Sequence, residues 1–294
     1  MCKSPVCGDS TGLKKILQGG KMIKPARMVI AIDKLTKRLF DSTKKIGGSR
    51  ELDEGFKKVK TTFEVRNLHE PLNLFDELIY SACISEKAAG GKMTTPRRIY
   101  HLIGGGHILT AEMEKKIKNS IEKMAACHIS VDAYDLVDYY GDKLRYSGAL
   151  LPMEKVKAEI KGRIYEVYQF IGDSPLFEIT ELKKQLISLK FELMEIEKYR
   201  NSETGLKLKF YLLKRILVIK GSKRKKWEKG LNKSILFETL YTDLNIPPSI
   251  NDGSKNHIRQ SVDKIMKHLQ DKGVIKSYQF EKEKGSYRAI TFSF

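Results

Sequence analysis

The feature that most constrains this chain lies near its C-terminus, where apolar residues form one helical stripe that ends at a stop signal. Ile258, Val262, Ile265 and Leu269 are spaced by four, three and four, the repeat of one face of an α-helix. Gly273 follows as a left-handed terminator. The spacing predicts a helix that starts after Ser254 or Asn256, runs to Lys272 and buries that stripe. The opposite side is then fixed: Asn256, Gln260, Asp263, Lys264 and Lys267 point away from the core, with His257 and Arg259 on the flanks.

The neighbouring segments say what such a helix packs against. Upstream, TGLKLKFYLLKRILVI, Thr204–Ile219, is apolar nearly all round and reads as a buried helix. After the charged stretch GSKRKKWEKG, a second helix is expected over Ile235–Asn245, with Ser234 as N-cap and Pro247-Pro248 closing it. Downstream, Val274–Phe280 and Ser286–Phe294 are rich in aromatic and branched residues and read as strands of a hairpin. Three helices followed by a hairpin is the order of a winged helix. Arg, Lys, Asn and Gln are the side chains that reach base edges and phosphates in a major groove, which is wide enough to admit a helix. The third helix offers Asn256, His257, Arg259, Gln260, Lys264 and Lys267, while Lys282, Lys284 and Arg288 put positive charge on the hairpin, where DNA backbone would lie.

The same order is readable earlier. A β-rich stretch, KVKTTFEVRNL, precedes helices expected over Leu72–Lys87, Pro96–Ile103 and Glu112–Ala126. Thr94 or Thr95 caps the second of these, and the third starts after Thr110. Strands are expected in HISVDAYDL, in LRYSGALLPMEKVKAEI and in GRIYEVYQFI, with a turn at Lys161-Gly162. In the third helix Met113, Ile117, Ile121 and Met124 face inward, which leaves Lys115, Lys118, Asn119 and Lys123 as a second set of candidate DNA contacts. Between the two modules, Leu182, Leu186, Leu189, Leu193 and Ile196 suggest a linker helix over Glu181–Tyr199. The stripe would also suit a homodimeric coiled coil, although about two and a half heptads fit a linker packed on its own domains better.

The expected fold class is therefore mainly α with small β-hairpins (α+β), built as two winged-helix domains in tandem. The expected divisions are a basic, partly disordered extension over 1–55, an N-terminal winged helix over 56–180, a linker helix over 181–200 and a C-terminal winged helix over 201–294.

Charge points to the partner. Of a net +19 in 294 residues, +12 falls in residues 200–294, which hold 21 Lys and Arg against 9 Asp and Glu. A folded protein tolerates such self-repulsion most readily when its partner is a polyanion. A solvated lysine-rich surface and a basic protein-docking module are the plainer explanations. No apolar run approaches the ~20 residues of a membrane helix, and MCKSPVCGDSTGLKKILQGG lacks the apolar centre of a secretory signal, so a cytoplasmic location is expected.

Nucleotide and metal chemistry finds no motif. Gly19-Gly20-Lys21 and Gly90-Gly91-Lys92 lack the upstream glycine and the Ser or Thr of a P-loop. No HEXXH or His-x-His occurs, and Cys2, Cys7, Cys83 and Cys127 have no zinc spacing. Asp135, Asp138 and Asp142 read as solvated loop charges. No enzyme activity, cofactor or metal is expected.

Three stretches taken together resemble a known family. SGALLPMEKVKAEIKGRIYEVYQFIGDSPLFEIT, then GLKLKFYLLKRI and HIRQSVDKIMKHLQDKGVI, are similar to replication initiator proteins of plasmids and integrative elements, particularly those of Gram-positive bacteria, over about residues 56–294. The resemblance implies tandem winged helices that bind repeated double-stranded DNA sites at an origin, repress their own promoter and contact host replication proteins. A transcriptional regulator without an initiation role is the alternative.

Overall fold

The computed structural model describes residues 25, 27–41, 48–53, 60–67, 70–106, 108–132, 145–160, 163–221, 234–247, 249–283 and 285–294. They form an α+β fold with small antiparallel sheets.

Two units share one topology. In the first, helix α2 (Leu74–Ala88) is followed by strand β4 (Met93–Thr94), helices α3 (Pro96–Leu102) and α4 (Ala111–Ala126), and the hairpin β7 (Met153–Ile160) and β8 (Arg163–Phe170). The sheet order is β4-β8-β7. In the second, α6 (Glu203–Gly221), β10 (Ser234–Leu236), α7 (Phe237–Asp243), α8 (Asp252–Asp271), β11 (Ser277–Glu283) and β12 (Ser286–Ser293) follow in the same sequence, and the sheet order is β10-β12-β11. Each is thus a winged helix whose short first strand lies beside the last. The first unit differs by an insertion after α4: β5 (His128–Asp132) and β6 (Arg145–Ala149) join β2 (Gly48–Asp53) and β3 (Lys60–Arg66) in a four-stranded sheet ordered β2-β3-β5-β6.

Local chemistry sets the helix ends. Asn73 and Asp76 form a capping box at α2. Thr95 caps α3, with Pro96 at its first position. Thr110 accepts from Met113 N at α4, and Asn251 accepts from Ser254 N at α8. Gly273, at φ +67°, ends α8 in the left-handed region.

Several expectations are corrected. No helix spans Glu181–Tyr199. Helix α5 (Pro175–Leu182) ends there, Lys184 takes φ +53°, and the chain continues as β9 (Leu186–Lys190) and a 3-10 turn over Phe191–Met194. The leucine spacing is helical, but β1 (Arg27–Ala31) offers β9 a full antiparallel ladder from Arg27↔Lys190 to Ala31↔Leu186, and tertiary pairing overrides a weak local preference. The dimeric coiled coil loses its helix with it. Residues 27–41 are likewise no loose extension, because β1 and helix α1 (Lys34–Leu39) bury Met28, Ile30, Leu35 and Leu39 completely. The stretch 145–160 is two strands in two sheets, divided at Leu150–Pro152. Ser234 is no N-cap: it opens β10, and α7 starts at Phe237 without a side-chain cap. Helix α8 begins at Asp252, earlier than the expected start, and β11 begins at Ser277 rather than Val274. Asp135, Asp138, Asp142 and the first 24 residues lie outside the described residues.

One hydrophobic core runs through both units, from Met28 to Phe292. Helix α6 is its axis and packs on both α2 and α8. Two buried charged groups cross this seam. The Nζ of Lys214 on α6 is paired with Glu77 on α2, which is 5% exposed. The fully buried Lys209 donates from Nζ to Met194 O (2.6 Å), Gly104 O (3.0 Å) and Asn201 Oδ1 (3.2 Å). Gly104 is required at this crossing: at φ +72°, a Cβ would stand 2.2 Å from Met194 O.

Candidate nucleic-acid interface

Helix α8 is amphipathic, and its packing decides which residues it presents. Val262, Ile265, Met266 and Leu269 are fully buried, and Ile258 is nearly so. Asn256, His257, Gln260, Asp263, Lys264 and Lys267 are exposed, as the stripe predicts, and Arg259 is half-buried. Met266 joins the buried face, which widens it beyond the four residues read from the sequence.

The hairpin β11–β12 stands beside this helix and is tied to it by specific contacts. Tyr278 Oη donates to Asp263 Oδ1 at 2.8 Å, and burial raises the Tyr278 phenol to about 12, so this donor keeps its proton at neutral pH. Gln270 Nε2 donates to Lys276 O at 2.9 Å. The Arg259 guanidinium lies 4.3 Å from the Tyr287 ring centroid, and Lys282 Nζ lies 4.9 Å from the same centroid. Arg288 is exposed and pairs with Glu283 at 3.2 Å. Lys284 lies outside the described residues. Arg259 of the helix and Lys282 of the wing therefore meet at the Tyr287 ring, and Tyr278 ties the wing to Asp263 of the helix.

The corresponding helix of the first unit is differently committed. Lys115 and Asn119 are exposed. Lys118 is paired with Glu114 at 2.8 Å and with Glu166 of β8 at 3.2 Å. Its hydrogen bond to Glu114 holds its amine above the usual lysine range, and the same ammonium holds the Glu166 carboxyl low. Lys123 is paired at 2.6 Å with the buried Asp76. Lys116 bridges Glu112 and Glu203, the latter on α6. Beside the wing, Ile108 and Ile164 are 81% and 70% exposed, so this surface is mixed and partly apolar where that of α8 is polar and basic.

Tyr278 and Tyr287 were legible only as apolar hairpin residues, because a ring stacked on a helix residue 28 positions away leaves no mark in local spacing. The pairing of Lys118 with Glu166 and of Lys123 with Asp76 is hidden for the same reason, whereas Glu114 stands one turn from Lys118. Among the described residues, no cluster of His, Cys, Asp and Glu could hold a metal. Cys83 and Cys127 are buried, and burial pushes both thiols up, Cys127 to about 11. No described helix is long and apolar enough to cross a membrane.

No family model and no curated protein matches the sequence, so the resemblance to Gram-positive initiators finds no support there. Among solved structures, domains 2–3 of RctB align with a TM-score of 0.47 at 11% identity, covering 88% of this chain and 96% of that one. A selenomethionine derivative of RctB domains 2 and 3 aligns at 0.42 and 10%, covering 89% and 97%. At these values the likeness bears on neither function nor site residues.

Proposed function

We propose that the chain binds double-stranded DNA with sequence preference, laying α8 in a major groove and the β11–β12 wing along the flanking backbone. The observation that carries this reading is the exposed face of α8. Asn256, Gln260, Lys264 and Lys267 stand opposite an apolar face with no exposure to spare, and they are side chains able to contact base edges and phosphates. The net charge of +19 supplies the long-range attraction. Reading is assigned to α8. The first unit contributes Lys115 and Asn119, while Lys118 and Lys123 serve intramolecular pairs.

Within this reading, the chain acts in the cytoplasm as a replication initiator of a plasmid or mobile element. It binds repeated origin sites and engages host replication proteins, with no catalytic step, cofactor or metal of its own. Footprinting the purified chain on the intergenic DNA of its own element tests this. Iterated protected sites beside an AT-rich stretch support initiation. A single promoter palindrome leaves DNA binding intact and makes the chain a regulator. No protection at any sequence overturns the DNA reading.

A further inference from the structure

We propose that Tyr287 is a positioning residue which gathers Arg259 of α8 and Lys282 of β11 into a single clamp for one backbone phosphate of duplex DNA. This rests on the reading of α8 and the wing as the DNA interface, and it says how the two are registered against each other.

The geometry starts from the core. Phe237 is buried, and its ring centroid lies 6.4 Å from that of Tyr287. Phe280 meets the Tyr287 ring edge-on at 5.7 Å and 87°. The ring is therefore fixed by aromatic contacts on its own hairpin and on α7. Lys282 reaches it because the β11 register shifts between Glu281 and Lys282, which places Lys282 directly across from Tyr287. Arg259 reaches it from α8, and its guanidinium also donates to Asn256 Oδ1.

Two cations thus share one ring. Neither has a carboxylate partner among the described residues, whereas Arg288 of the same hairpin does. A ring face attracts each cation, but the two repel each other, and the arrangement is relieved by an anion that both can hold. A phosphodiester fits, since its oxygens take a planar guanidinium and a point ammonium at once. Because the two cations come from the recognition helix and the wing, a phosphate held between them sets the rotation of α8 in its groove.

The test uses the full chain, a short mixed-sequence duplex and a salt titration of affinity for wild type, Y287L and Y287F, with thermal melts alongside. Y287F keeps the ring and should stay within about twofold of wild type. Y287L should lose on the order of tenfold in affinity, and its slope of log affinity on log salt should fall by about 0.9, the contribution of one phosphate. K282A should weaken wild type but cost little further in the Y287L background. A Y287L chain that melts like wild type and keeps the wild-type slope overturns the clamp while leaving DNA binding intact. If Y287L melts early, full additivity of R259A and K282A overturns it instead, since a shared phosphate requires their effects to be coupled. Wild type that binds polyglutamate but not the duplex overturns both readings.

Discussion

Replacing Lys209 with methionine removes a fully buried ammonium from the seam between the two winged helices, and the structure sets the pH range in which this matters. Burial pushes the amine down from 10.5 to about 7, with Glu195 raising it only in part. His268, itself pushed down by burial, is the other titratable group that senses it. Below pH 7 the amine is protonated in both folded and unfolded chains, so the burial cost is carried in full. Between about 7 and 10.5 the unfolded chain holds a proton that the folded chain has released, and the stability of wild type rises with pH. Relative to K209M, that rise amounts to about 2 kcal/mol between pH 7 and pH 9, at about 1.4 kcal/mol per unit of pKa. Urea unfolding of both chains across this range measures it, with the other titrating groups cancelling in the difference. Parallel curves would mean instead that the carbonyls of Gly104 and Met194 and the Asn201 amide hold the ammonium charged at every pH measured.

Three further outcomes follow from the ion pairs and from the exposed face of α8. K214M leaves the Glu77 carboxylate buried without its partner and should cost about 3 kcal/mol. That loss should shrink as pH falls and Glu77 takes up a proton, and denaturation at pH 5 and pH 7 checks it. K123A should lower stability through Asp76, by about 1–2 kcal/mol, while DNA affinity and its salt slope stay unchanged; an altered slope with an unchanged melt would place Lys123 on DNA instead. The double substitution K264A/K267A, at exposed positions of α8, should leave the melting temperature within about a degree or two and lower the salt slope by about 1.8.

The sequence disclosed those parts of the fold that rest on local chemistry. The stripe of α8, its glycine stop, the Thr95-Pro96 start of α3 and the pairing of β7 with β8 depend on neighbours close in sequence, so spacing reveals them, while the turn expected at Lys161-Gly162 lies outside the described residues. Strand β9 was hidden because leucines at 182, 186, 189 and 193 satisfy a helix, and its true partner lies about 160 residues away in β1. Strand β10 is three residues long and has no pattern of its own. In the candidate site, the orientation of Gln260, Lys264 and Lys267 followed from the buried stripe. That Lys123 is tied to Asp76 and Lys118 to Glu166 could not be read the same way, because only the folded chain brings those carboxylates to α4.

Selection from a randomised duplex library, run with wild type and Q260A side by side, decides whether α8 reads duplex sequence. Wild type should enrich a defined site. Q260A should lose preference at one end of that site, at a cost on the order of 1–3 kcal/mol for the matched base, and keep the wild-type fold by circular dichroism. Enrichment of no sequence by wild type, or an identical site enriched by both chains and by variants at Asn256, His257 and Arg259, would contradict it.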